Sequence, residues 1–235
     1  MTDEAIFCLQ LFKFWELRKN GEPLSVRLRE QRVLAALAVL GPAQRRHLAA
    51  VLWPQCPQAR AAESLRVSLH HIAHQCPLLV AVGRTALSLG DGVDVDLHNV
   101  RAAVAGVHTG APGPYRVATL LRLDCGELLP GWDEDWVEAE KSYLRPRRIA
   151  ALELLGAEFL RREDYGQAVR AFSAVLELEP YLESAVDLLV RTHLAAGNQV
   201  VAMRELSGFT ALLAEELGVQ PSATLQGLMG RTLPA

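Results

Sequence analysis

No CxxC pair occurs in this chain of 235 residues, and its four cysteines, Cys8, Cys56, Cys76 and Cys125, are widely scattered. That excludes a zinc knuckle or a thioredoxin-type site. In a reducing compartment it leaves the thiols as small buried hydrophobes. No apolar run approaches the ~20 residues of a membrane span, so no membrane association is expected. The opening Met1-Thr2-Asp3-Glu4 is acidic and nothing there reads as a signal peptide; the expected location is the cytoplasm. There is no GxSxG elbow, no Walker loop, no HExxH pair and no Ser-His-Asp pattern. The expectation is a protein that is not an enzyme and carries no cofactor. Glycine and proline are too few for a collagen-like or low-complexity chain, and half the residues are apolar, which excludes global disorder.

What is present is unevenly charged. The net charge is -3, yet residues 13–84 hold eleven basic and only four acidic side chains. The remainder of the chain is correspondingly acidic. A basic segment beside an acidic one suits a nucleic-acid-binding domain joined to a protein-interaction domain; a solvated face with a chance excess of arginine is the plainer reading.

The stretch from Ile6 to Leu17 is rich in aromatic and branched residues and reads as one strand. Asn20-Gly21 is a two-residue hairpin turn, since both residues tolerate positive φ, and the chain returns through Pro23–Val26. Three helical patterns follow. They cover Arg29–Leu40, stopped by Gly41-Pro42, then about Ala43–Trp53, then about Gln58–Gln75 with an apolar stripe of Leu65, Leu69, Ile72 and Cys76. Leu78–Val82 and Thr85–Leu89 flank a Gly83-Arg84 tip and form a hairpin. Strands, three helices and a terminal hairpin compose a winged helix-turn-helix. From Asp94 onward only helices are expected, broken by loops at Pro112-Gly113-Pro114 and Gly126–Trp132.

Residues 149–180 have the spacing of a tetratricopeptide repeat. With Ile149 as position 1, Leu152, Leu155, Gly156 and Phe159 fall at 4, 7, 8 and 11, and Ala168, Phe172 and Pro180 at 20, 24 and 32. Small residues at 8 and 20 let two antiparallel helices approach, and the large ones fill the gap. Ala202, with Leu189, His193, Leu206 and Phe209 in register, marks a degenerate second repeat.

Several segments together resemble the SARP family, the antibiotic regulatory activators of actinobacteria. They are Leu52-Trp53-Pro54, Ser64–Leu69, Asp94-Val95-Asp96, Gly126–Trp132, Asp135-Trp136-Val137 and Glu216–Ser222. The likeness covers almost the whole chain. It implies a mainly α fold with a small antiparallel β component: an OmpR-like winged helix-turn-helix over residues 1–97, then an all-α, tetratricopeptide-like bacterial transcriptional activation domain over 98–235. It also implies an activator that binds promoter double-stranded DNA, recruits RNA polymerase, and pairs as two protomers on direct repeats, for a secondary-metabolism gene cluster. Where the family carries arginines after Leu69, this chain has His71, Ala73 and His74, and neutral imidazole attracts phosphate less than guanidinium does. The alternative is a non-enzymatic adaptor with a degenerate winged helix, holding a protein through its helical repeats.

On the third helix the face opposite the apolar stripe holds Arg60, Ser64, Val67, Ser68, His71 and His74, flanked by Arg66 and His70. For a reader of the major groove, arginine pairs with guanine, the serines reach bases or phosphates, and Val67 packs on a thymine methyl. Arg84, at the wing tip, is placed to touch phosphate. The plainer reading is a solvated helix face. His70, His71 and His74 share a helix surface, but no acidic or cysteine ligand is in register with them, so no metal is expected. Asp133, Glu134 and Asp135 beside Trp132 and Trp136 read as an acidic helix N-terminus, which the helix dipole favours.

Overall fold

The computed structural model describes residues 6–109 and 116–232; the Pro112-Gly113-Pro114 loop lies outside them. Contacts divide the chain into two compact units. One comprises Met1–Ala102 with Cys125–Leu144, the other Ala103–Asp124 with Arg145–Ala235.

The first unit opens with β1 (Phe7–Gln10), β2 (Glu16–Lys19) and β3 (Glu22–Leu24). The stretch expected as one strand from Ile6 to Leu17 is therefore two. Lys13 adopts a positive φ of 71°, the chain reverses, and β1 pairs antiparallel with β2 in the register Leu9↔Leu17. The Asn20-Gly21 turn joins β2 to β3 with φ of 52° and 87°, the left-handed pair that a tight hairpin needs. The sheet order is β3-β2-β1-β6. Here β6 (Val93–Val95) lies beside β1 in parallel, which corrects the expectation of helices alone from Asp94 onward. Three residues are too few to show alternation in a sequence, and this strand is recognisable only by its partner.

Helices α1 (Leu28–Leu40), α2 (Arg45–Leu52) and α3 (Gln58–Gln75) follow the sheet. Gly41 ends α1 at a φ of 74°, a backbone region that favours glycine. The wing is β4 (Val80–Val82) and β5 (Leu87–Leu89), paired Val80↔Leu89 to Val82↔Leu87. The Gly83 N–H donates to the Ala86 carbonyl at 2.9 Å across its tip. Burial is dense on α1, whose Val33 to Leu37 are nearly inaccessible. Arg32 donates to the Leu52 carbonyl at the end of α2 and to Glu134 at 2.7 Å. The acidic run at 133–135 does open a helix, α6 (Asp135–Arg161).

The turn after β1 is held by Asp96, the first residue of α4 (Asp96–His108). Its carboxylate accepts the N–H groups of Leu11, Phe12 and Leu97 at 2.7–3.0 Å. Among the cysteines only Cys76 is buried, and burial pushes its thiol up; Cys8, Cys56 and Cys125 are half-buried, against the expectation of buried thiols throughout.

The second unit contains α5 (Arg116–Leu123), the rest of α6, then α7 (Tyr165–Leu178), α8 (Glu183–Ala195), α9 (Gln199–Glu216) and α10 (Ala223–Thr232). Consecutive helices pack on one another from α7 to α10. Ala168, Phe172 and Leu152 are wholly buried, as are Leu155 and Ala202 to within 1%. Asp164 caps α7 by accepting the Gln167 N–H. A Cβ on Gly156 would stand 2.6 Å from the Phe172 ring, so the glycine is there because the ring occupies its side-chain space.

Two outcomes follow. Gly156→Ala should destabilise the chain by about 1–3 kcal/mol, because the buried ring has nowhere to go; adding Phe172→Leu should restore part of the loss in thermal melts. A stable Gly156→Ala chain would show that α6 and α7 are not so close. Asp96→Ala leaves the Leu11 and Phe12 N–H groups without their acceptor and should cost at least about 1–3 kcal/mol, read as a fall in the urea midpoint.

Candidate nucleic-acid interface

The orientation of α3 decides which of its side chains can meet a ligand. Its buried residues are Ala61, Leu65, Ser68 and Ile72, at helical spacings of 4, 3 and 4. Leu69, expected in the stripe, is only half-buried. The helix is thus rolled by roughly 40° from the expected position, taking 3.6 residues per turn. The most exposed line runs through Ala59, Glu63, Arg66, His70, Ala73 and His74.

The expected contact residues separate accordingly. Arg60, Arg66 and His74 are exposed on α3, and Arg84 is exposed at the wing tip. Ser64 and Val67 are half-buried at one edge of the open face. Ser68 is wholly buried and its hydroxyl has no hydrogen-bond partner among the described residues, which corrects its assignment as a contact residue. Serine reads as polar in a pattern, but it is small enough to be buried on the packed side of α3 with Leu65 and Ile72.

His71 is held from behind. Its Nδ1 lies 3.3 Å from Glu30 Oε1, and Glu30, on α1, is 4% exposed. One edge of the ring is engaged within the protein, and the ring is half-exposed on the other side. Nearby, Gln75 donates to the Ser25 carbonyl at 2.7 Å, which ties the end of α3 to the chain entering α1.

Arg66 is also engaged. Its Nε and one terminal nitrogen donate to the two oxygens of Glu63 at 2.9 and 2.6 Å. This hydrogen bonding holds the Glu63 carboxyl below its ordinary value and the Arg66 guanidinium above its own. The pair is open to solvent, so it adds little to stability, but it sets a negative charge in the middle of the open face. Reading from the sequence missed Glu63. The signal was available, since residues 63 and 66 are neighbours on a helix surface.

Two cations outside the expected set, Arg45 and Arg46, are exposed at the start of α2. Arg29 stacks on Trp53, its guanidinium carbon 5.4 Å from the ring centroid. Among the described residues no group of three or more His, Cys, Asp or Glu side chains could hold a metal ion, and no helix is long and apolar enough to cross a membrane.

A small sheet, three helices and a hairpin wing, followed by packed helices, form the architecture of SARP-like transcriptional regulators. The family pattern described as the bacterial transcriptional activator domain matches residues 98–233, and the chain belongs to that family. It is 27% identical over 231 residues to the regulatory protein AfsR of Streptomyces coelicolor, an alignment covering 92% of this chain and 23% of that protein. The chain therefore spans about a quarter of the length of this curated relative. A solved structure described as Mycobacterium tuberculosis EmbR in complex with a low-affinity phosphopeptide shares the fold, with a TM-score of 0.64 and 22% identity. That match covers 97% of this chain and 65% of the other.

Ser68→Ala removes a buried hydroxyl that has no partner. The melting temperature should stay level or rise, because an unsatisfied buried polar group costs about 1–3 kcal/mol, and DNA affinity should not change. A loss of affinity without a loss of stability would return Ser68 to the interface.

Proposed function

We propose that this regulator is a DNA-binding transcriptional activator. In this reading residues 1–97 dock α3 in the major groove of promoter double-stranded DNA and lay Arg84 of the wing on adjacent phosphate. Residues 98–235, with their tetratricopeptide-like helix pairs, serve contact with RNA polymerase and the pairing of two protomers on direct repeats. The regulated genes are those of a secondary-metabolism cluster, and the protein works in the cytoplasm without catalysis. The observation that carries the reading is the open face of α3, where Arg66, His70 and His74 stand exposed with Arg60 at its edge, inside a segment rich in arginine.

The second reading, an adaptor that holds a protein partner through its helical repeats, is favoured by one observation. Glu63 sits on the open face and occupies Arg66, and a carboxylate repels phosphate.

Fluorescence anisotropy with the DNA upstream of its own gene, measured across a salt series, separates the two. On the DNA reading affinity falls with salt, with a slope of about -0.9 per phosphate contact. Glu63→Gln releases Arg66 and removes a negative charge, so it should tighten binding several-fold. The His71→Arg, His74→Arg double variant should tighten it further and steepen the salt slope. If neither the parent nor these variants bind the promoter specifically at low salt, the adaptor is the better account.

A further inference from the structure

Between α2 and α3 the first unit has an open cleft of about 550 Å³, within the size range of small-molecule sites. Its floor is apolar, formed by Ala49, Trp53 and Leu65 among others, and its rim carries Arg45, Arg46 and Arg66; no carboxylate lines it. Arg66 is shared with Glu63, whereas Arg45 and Arg46 make no ion pair among the described residues. These two stand in the first turn of α2, which has no acidic side chain and no side-chain cap. The unsatisfied N–H groups of that turn and the helix dipole add to the positive field there.

An apolar floor beneath unpaired guanidinium groups is complementary to one kind of molecule. We infer that the cleft binds a small amphipathic anion, an aromatic or acyl carboxylate or sulfonate whose apolar body lies against Trp53 and Leu65 and whose charged head meets Arg45 and Arg46. Guanidinium suits such a head, because its fork matches two oxygens at once. The cleft lies on the flank of α3 away from His71, so an occupant would bear on the packing of α2 against α3. This makes the site a place for an effector, apart from the residues proposed to meet DNA, except for Arg66, which borders both.

Two fluorescent probes of similar shape test this on the full chain without DNA. Anilinonaphthalene sulfonate carries the anionic head, and N-phenyl-naphthylamine lacks it. The sulfonate should bind one to one. The Arg45→Ala, Arg46→Ala double variant should weaken it at least tenfold and leave the neutral probe within about twofold. Ala62→Trp, which fills the cleft from α3, should weaken both, and circular dichroism melts confirm that each variant is folded. Sulfonate binding that survives loss of both arginines, or that takes several copies per chain, overturns the proposal. So does a double variant that loses promoter affinity while keeping the sulfonate, since the arginines would then belong to a phosphate contact. Because binding is read without DNA, failure of the activator reading leaves this test standing.

Discussion

The first unit depends on one half-buried carboxylate, that of Asp96. β1 ends where its edge must bend, and Leu11 and Phe12 are left with N–H groups in a place almost closed to water. Asp96 answers both, and with its remaining capacity it accepts the Leu97 N–H in the first turn of α4. One side chain thus fixes the bend after β1, the alignment of β6 against β1 and the start of the next helix. Burial pushes the Asp96 carboxyl above its ordinary value although three N–H donors pull it down. The Phe12–Leu128 bridge, the bond from the Lys13 N–H to the Glu127 carbonyl and that from the Leu129 N–H to the Leu11 carbonyl are set on the same bend.

That bend also marks a limit of reading from sequence. The strand-forming residues from Ile6 to Leu17 are real, and both halves of the stretch are in strands. The reversal between them carries no Gly, Pro, Asn or Asp, and is instead imposed by Asp96, more than eighty residues away. The Asp94-Val95-Asp96 segment was recognisable by resemblance, but its purpose was not, because an acid in a short polar run looks like a solvated turn. The elements whose signals are local are legible: the apolar period marks α3 over Gln58–Gln75, Asn20-Gly21 marks the hairpin, and Gly41 ends α1.

The helical half shows the opposite case. There the constraint is steric and periodic, so the sequence displays it openly. Gly156 must be small because the Phe172 ring fills its side-chain space, and a glycine sixteen residues before a buried phenylalanine is visible without coordinates. Ala168 and Ala202 are small and buried in the same way. Positions 8, 20 and 24 of such a repeat constrain one another, whereas Asp96 constrains residues that share no periodicity with it.

The candidate interface lies between these cases. The period of α3 was legible but its phase was not, since Ser68 sits in the core and Leu69 at its margin. A roll of some tens of degrees is enough to exchange contact residues. It withdraws Ser68, turns His71 toward Glu30 and brings Glu63 to the middle of the open face. The consequence for recognition is that Arg66 does not stand ready. To pair with a base edge in bidentate fashion it must leave, or share its fork with, a carboxylate already bound in that manner. An arginine so held loses less side-chain entropy on docking, because it is already ordered, but it brings a neighbouring negative charge that phosphate opposes. Glu63 can accept from a cytosine amino group, so the pair is suited to a C·G step and poorly suited to non-specific attachment along the backbone. On the DNA reading, the side chain that weakens general affinity is therefore the one that sharpens choice among sequences.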